Sequence, residues 1–66
     1  MITEIGIAAG EVWQYLDKNG EVQLSVLFTK LKKSRELILM SVGWLSREGH
    51  VILTEDGDDF WICLRK

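Results

Sequence analysis

LSREGHVILTEDGDDFWICL, residues 45–64, decides the fold. His50 to Thr54 and Asp59 to Leu64 are runs rich in β-branched, aliphatic and aromatic residues. Between them stands Asp56-Gly57, a strong two-residue hairpin signal, because a type I′ turn needs positive φ at both central positions. Gly49 marks the end of a helix just before the first of these runs. Working back from it, Ser34 suits an N-cap and Glu36 the positive end of a helix, so RELILMSVGWLSRE is predicted helical.

Upstream, Thr3 suits another N-cap and Glu4 its first turn. Ile5, Ala9, Val12 and Leu16 recur at helical spacing until Asn19-Gly20 ends the run. EVQL, residues 21–24, alternates polar and apolar as a short strand does. Ser25 is expected to cap a second helix, VLFTKLK, in which Leu27 and Leu31 share a face before Lys32-Lys33-Ser34 interrupts it. The order is helix, strand, helix, helix, strand, strand. That order is an α+β domain spanning residues 1–66: a three-helix bundle with a small antiparallel sheet of two or three strands.

Sixty-six residues, 47% of them hydrophobic, make one globular domain and not two. Domains this small bury only about 60% of their unfolded surface and commonly need a disulfide, a metal or a second subunit. Cys63 is the only cysteine, so neither an internal disulfide nor a multi-thiolate zinc site is available, and oligomerisation remains. A lone cysteine without a basic, apolar leader fits the cytoplasm, and LILMSVGWLS is about half the length of a membrane helix. A net charge of −2 gives no global attraction to nucleic acid or anionic lipid.

Two helices joined by a short turn, followed by Leu45-Ser46-Arg47-Glu48-Gly49-His50-Val51 and a hairpin, resemble the winged helix-turn-helix domain. GIAAGEVWQYL and LILMSVGWLSREGHV are similar to small stand-alone bacterial winged-helix proteins. The resemblance implies that the third helix is a recognition helix and residues 54–59 a wing. It also raises the expectation of nucleic-acid binding, although the fold serves many functions.

The residues test that expectation. At about 100° per residue, Ile38, Ser41, Val42 and Leu45 share the core face of the third helix. The opposite face carries Glu36, Leu39, Met40, Gly43 and Arg47, with Leu37 and Trp44 on a flank. Leu39 and Met40 cannot match the hydrogen-bond pattern of the major groove, whereas an aliphatic patch beside a Trp suits a protein contact. The competing reading is a helix buried on both sides within its own domain. Strict alternation in the hairpin turns Val51, Leu53, Phe60, Ile62 and Leu64 towards the helices. Ile52, Trp61 and Cys63 then lie on the other side, which a second subunit would cover.

Glu55, Asp56, Asp58 and Asp59 make the wing a poor phosphate contact, and their spacing does not fit a calcium loop. A solvated turn that discourages edge-to-edge pairing is the simplest account. DNA binding finds its support in TKLKKSR, residues 29–35, where Lys30, Lys32, Lys33 and Arg35 cluster at the turn, with Arg47 further along. Four or five cations on an acidic protein imply weak, salt-sensitive binding, and solubilising lysines are the plainer alternative. Gly6 and Gly10 imply close approach by a neighbouring element, inside the monomer or across a dimer, and Trp13, with Tyr15 near it, lines the same contact or the edge of the core, the latter being the preferred reading. His50 has no companion ligands, and no phosphate loop or catalytic constellation is present, so neither catalysis nor a cofactor, metal or small-molecule ligand is expected.

The leading expectation is a non-catalytic interaction module, a homodimer or the partner of another protein. Its contact residues are Leu39, Met40, Gly43 and Trp44, or Ile52 and Trp61. The alternative is a weak or conditional DNA-binding regulator acting through Lys30, Lys32, Lys33, Arg35 and Arg47. A subunit of a larger assembly is a third reading.

Overall fold

A computed structural model describes residues 2–65. The elements are α1 (Ile2–Asn19), β1 (Val22–Gln23), α2 (Leu24–Lys30), α3 (Arg35–Arg47), β2 (Val51–Asp56) and β3 (Asp59–Leu64). The three strands form an antiparallel sheet in the order β1-β3-β2. This is the α+β winged-helix arrangement expected from the sequence.

The core is where the helical and strand periods converge. Ala9, Val12 and Leu16 of α1, Leu27 of α2, Ile38, Val42 and Leu45 of α3, Val51 of β2 and Ile62 of β3 form one buried cluster. Burying each large aliphatic side chain among them is worth about 1.5–3 kcal/mol. The α3 stripe is the predicted one, Ile38, Ser41, Val42 and Leu45. Ser41 is fully buried and donates from Oγ to the Leu37 carbonyl at 2.8 Å. Its Oγ also lies 3.4 Å from the Ile5 carbonyl of α1, so the polar group in the helix interface is satisfied.

Helix ends explain where the elements start and stop. Ser34 caps α3 as expected, its Oγ accepting from the Leu37 amide at 3.1 Å. At the other end, the His50 amide donates to Leu45 at 2.9 Å and the Gly49 amide to Ser46 at 3.1 Å. With φ of 78° at Gly49, this is a Schellman ending that turns the chain directly into β2. Thr3 is not the N-cap of α1, because the helix already begins at Ile2. Nor does Ser25 cap α2. The chain passes straight from β1 into a helix whose cap position is Gln23, without a side-chain bond, so α2 lies two residues earlier than its apolar spacing predicts.

The hairpin turn is also shifted. Asp56 pairs with Asp59, so the two loop residues are Gly57 and Asp58 rather than Asp56 and Gly57. Gly57 has φ of 62° and no described non-glycine residue has positive φ, which is the sign pattern of a type II′ turn with Gly first. The acid at the following position therefore escapes the left-handed region. Pairing of Val51 with Leu64, Leu53 with Ile62 and Glu55 with Phe60 gives the predicted inward face. Leu53 is nevertheless exposed, because β2 is an edge strand and only Val51, at its root, is buried. His50 precedes β2 and holds the sheet's far end by accepting from the Arg65 amide at 2.9 Å.

For Gly6 and Gly10, close approach within the monomer is not found. A Cβ at either position would meet nothing within 4 Å, so no element of this chain approaches them closely. Each costs helix stability with no return inside the monomer. In dilute protein, Gly6→Ala should therefore stabilise the fold by about 0.8–1 kcal/mol. Gly49→Ala meets no clash either, but must hold the left-handed conformation and should destabilise by roughly 1–2 kcal/mol. Urea midpoints read both signs.

Candidate functional site

The outer face of α3 is open to solvent. Leu39, Met40 and Trp44 are 42%, 39% and 48% exposed, so the helix is not buried on two sides within its own domain. Gly43 and Arg47 are exposed with them. On one flank, Trp44 borders hollows of about 340 and 380 Å³ that it shares with Gly6, Ala9, Gly10 and Trp13, and with Ile2 and Ile5, respectively. Trp13 is 41% exposed and belongs to this surface, the less favoured of the two places sequence reasoning allows it, rather than to the core edge; Tyr15 does pack against the core. The missing side chains of Gly6 and Gly10 leave the hollow between the two indoles. Gly6, Gly10 and Trp13 recur at helical spacing away from the core stripe, a signal already present in the sequence.

On the other flank, Leu39 borders a hollow of about 460 Å³ with Phe28, Arg35, Asp58 and Phe60. The Arg35 guanidinium lies 4.5 Å from the Phe28 ring centroid, which holds it against the domain by cation–π attraction. The two faces of the sheet divide as predicted. Ile52 pairs with Cys63, Thr54 with Trp61 and Gln23 with Trp61, all on the face away from the core. Ile52 is 46% and Trp61 36% exposed there. This face is separate from the surface around α3.

Half of the wing's acids have internal partners. Asp56 accepts from the Trp61 indole at 3.0 Å, pinning the ring along the hairpin. Asp59 accepts from Ser25 Oγ at 2.6 Å, from the Phe60 amide at 2.7 Å and from the Ser25 amide at 3.3 Å. It thereby does for α2 what the Gln23 side chain does not, capping the helix from across the fold. Residues 34 apart in the chain are joined, so no local motif announces the pair.

The basic cluster is less available than its sequence suggests. Lys33 Nζ lies 3.3 Å from Glu11 Oε2, and Arg47 lies 3.3 Å from Glu48 Oε2. With Arg35 on Phe28, Lys30 and Lys32 are the members of the cluster that have neither an ion pair nor a ring partner among the described residues. No group of three His, Cys, Asp or Glu side chains that could hold a metal occurs among the described residues, and no described helix is long and apolar enough to cross a membrane. His50 stacks at a tilt near Trp44, with ring centroids 6.5 Å apart.

The helix-turn-helix of α2 and α3 and the wing of β2 and β3 agree with a family model, described as Winged helix-turn-helix domain (DUF2582), that matches residues 1–64. The chain belongs to this family. No curated protein and no solved structure matches it. Winged helix-turn-helix domains are often DNA-binding and generally non-catalytic. This member departs from a DNA reader in the apolar outer face of α3 and in the acids of its wing.

Hydrogen bonds to its charged form, first from the Ser25 hydroxyl and then from the Phe60 amide, hold the Asp59 carboxyl below its ordinary value of 3.8. A lowered folded-state value means that the stabilisation is complete above the ordinary value and is lost as pH falls through the folded one. Asp59→Asn should accordingly unfold at lower urea than the parent at pH 7. The gap should narrow as pH drops below 3.8, and a gap independent of pH would contradict the assignment.

Proposed function

We propose that this winged-helix domain is a non-catalytic interaction module that acts as a homodimer through the outer face of α3. One observation carries the reading: Leu39, Met40 and Trp44 stand exposed together on the helix that a DNA reader would present to the major groove. Leu and Met side chains offer neither donor nor acceptor to base edges, but they release water well on meeting another apolar surface. A standard interface buries about 800 Å² per partner, roughly a sixth of the 4552 Å² this chain exposes. The α3 face and the adjoining hollows beside Trp13 supply a contiguous apolar surface for such an interface. The Ile52 and Trp61 face remains available for a further protein partner.

Sedimentation equilibrium tests this directly. Wild-type protein should associate, and Leu39→Asp or Met40→Asp should shift the mass to that of a monomer while leaving the circular dichroism spectrum unchanged. Association that survives both substitutions would remove the α3 face from the proposal.

A second reading keeps weak DNA binding, on the observation that Lys30 and Lys32 at the helix-turn-helix turn are exposed and have no ion pair among the described residues. Counterion release from so few cations gives affinity only at low salt. Titration of labelled protein with mixed-sequence duplex should then shift amides between Lys30 and Glu36 at low salt, and Lys32→Glu with Lys33→Glu should abolish the shifts. Under the interaction reading, no shifts appear at either low or near-physiological salt.

A further inference from the structure

We infer that two copies pack α3 against α3 in antiparallel fashion about a two-fold axis, with Glu36 of each copy against the partner's Arg47; the inference rests on the proposed contact face and specifies its register. Glu36 and Arg47 are eleven residues apart, which at about 100° per residue brings them within about 20° of one line along the helix. That line runs down the middle of the outer face, with Met40 and Gly43 between its charged ends. Each pair is equally distant from the level of the Ser41–Val42 peptide, Glu36 before it and Arg47 after it, Met40 before it and Gly43 after it.

A two-fold axis at that level makes the face complementary to itself. Each Glu36 meets an Arg47, giving two symmetry-related opposite-charge pairs at the ends of the contact. Each Met40 lies beside the partner's Gly43, whose position is open, since an added Cβ would meet nothing within 4 Å. The flexible thioether suits such a notch. Parallel packing fails the same test, because it sets Glu36 against Glu36 and Arg47 against Arg47. The charge pattern thus selects one orientation as well as permitting it. Arg47 is free to take part: its side chain is 81% exposed, and its contact with the neighbouring Glu48, at 3.3 Å, is a surface pair of little weight.

Exchange of the charges provides the test, again by sedimentation equilibrium. Glu36→Arg alone and Arg47→Glu alone each place like charges together at both ends of the dimer, and each should raise its dissociation constant roughly tenfold. An equimolar mixture of the two single variants should recover wild-type association, because the mixed dimer has opposite charges at both ends. The double variant Glu36→Arg with Arg47→Glu should recover it too. Rescue on mixing separates the register from any loss of helix stability, which mixing cannot repair. Singles that associate as tightly as wild type, or weakened singles that mixing does not restore, overturn the register. If Leu39→Asp still dissociates the protein in that case, the α3 face stands and only its register is wrong. If wild-type protein does not associate, both readings fall.

Discussion

The sheet, the core beneath it and the placing of α2 all depend on β3. As the middle strand it pairs with β1 on one side and β2 on the other, closing a sheet from segments about forty residues apart. Ile62 lies at its centre, wholly buried between Val22 and Leu53 in the register and against the helices. At its first residue, Asp59 reaches α2 and satisfies the exposed end of that helix. One six-residue strand therefore organises the sheet, fills the core and orients α2, which in turn presents the turn before α3. In a chain this short there is little redundancy to replace any of these contacts.

The surface follows from the same economy of size. Three helices and a small sheet enclose a core of nine buried side chains, and the remaining large apolar residues have no interior left to enter. Most of them gather around α3 and the adjoining edge of α1, where Gly6 and Gly10 leave a hollow between Trp13 and Trp44. Single exposed apolar residues are ordinary, but a continuous group flanked by glycines with no monomer packing role is not. The charges behave in the opposite way. Glu11, Asp56 and Asp59 engage partners elsewhere in the chain, and Lys33 and Arg35, which fold analogy would send to phosphate, are held against the domain.

How far the sequence foretells this depends on whether the deciding interaction is local. The core stripe of α3 is legible because Ile38, Ser41, Val42 and Leu45 obey the helical period, and the two faces of the hairpin because strands alternate. Ser34 and Gly49 are legible because caps act within a few residues. Thr3 and Ser25 mislead for the same reason. Both are good local caps, but α1 begins earlier, and at α2 a carboxylate from the far end of the chain takes the capping role. The turn slips by one residue because only Gly57 adopts positive φ, so the glycine moves to the first loop position. The outward-facing members of the candidate site were readable as a helix face, but the hollow beside them was not, since it depends on how α1 lies against α3.

The two functional readings compete for one helix. If the outer face of α3 is covered by a second copy, its side chains cannot also enter a major groove, whatever the lysines at the preceding turn do. Any binding that required α3 in the groove would have to oppose dimerisation, and each equilibrium would weaken the other by the same factor. Lys30 and Lys32 do not share this constraint, because they lie before α3 and outside its apolar face. A dimer joined through α3 could touch a nucleic-acid backbone through them without reading bases. Specificity, on this arrangement, resides in what meets the apolar and charged pattern of α3, and the antiparallel symmetry of that pattern points to the chain's own second copy.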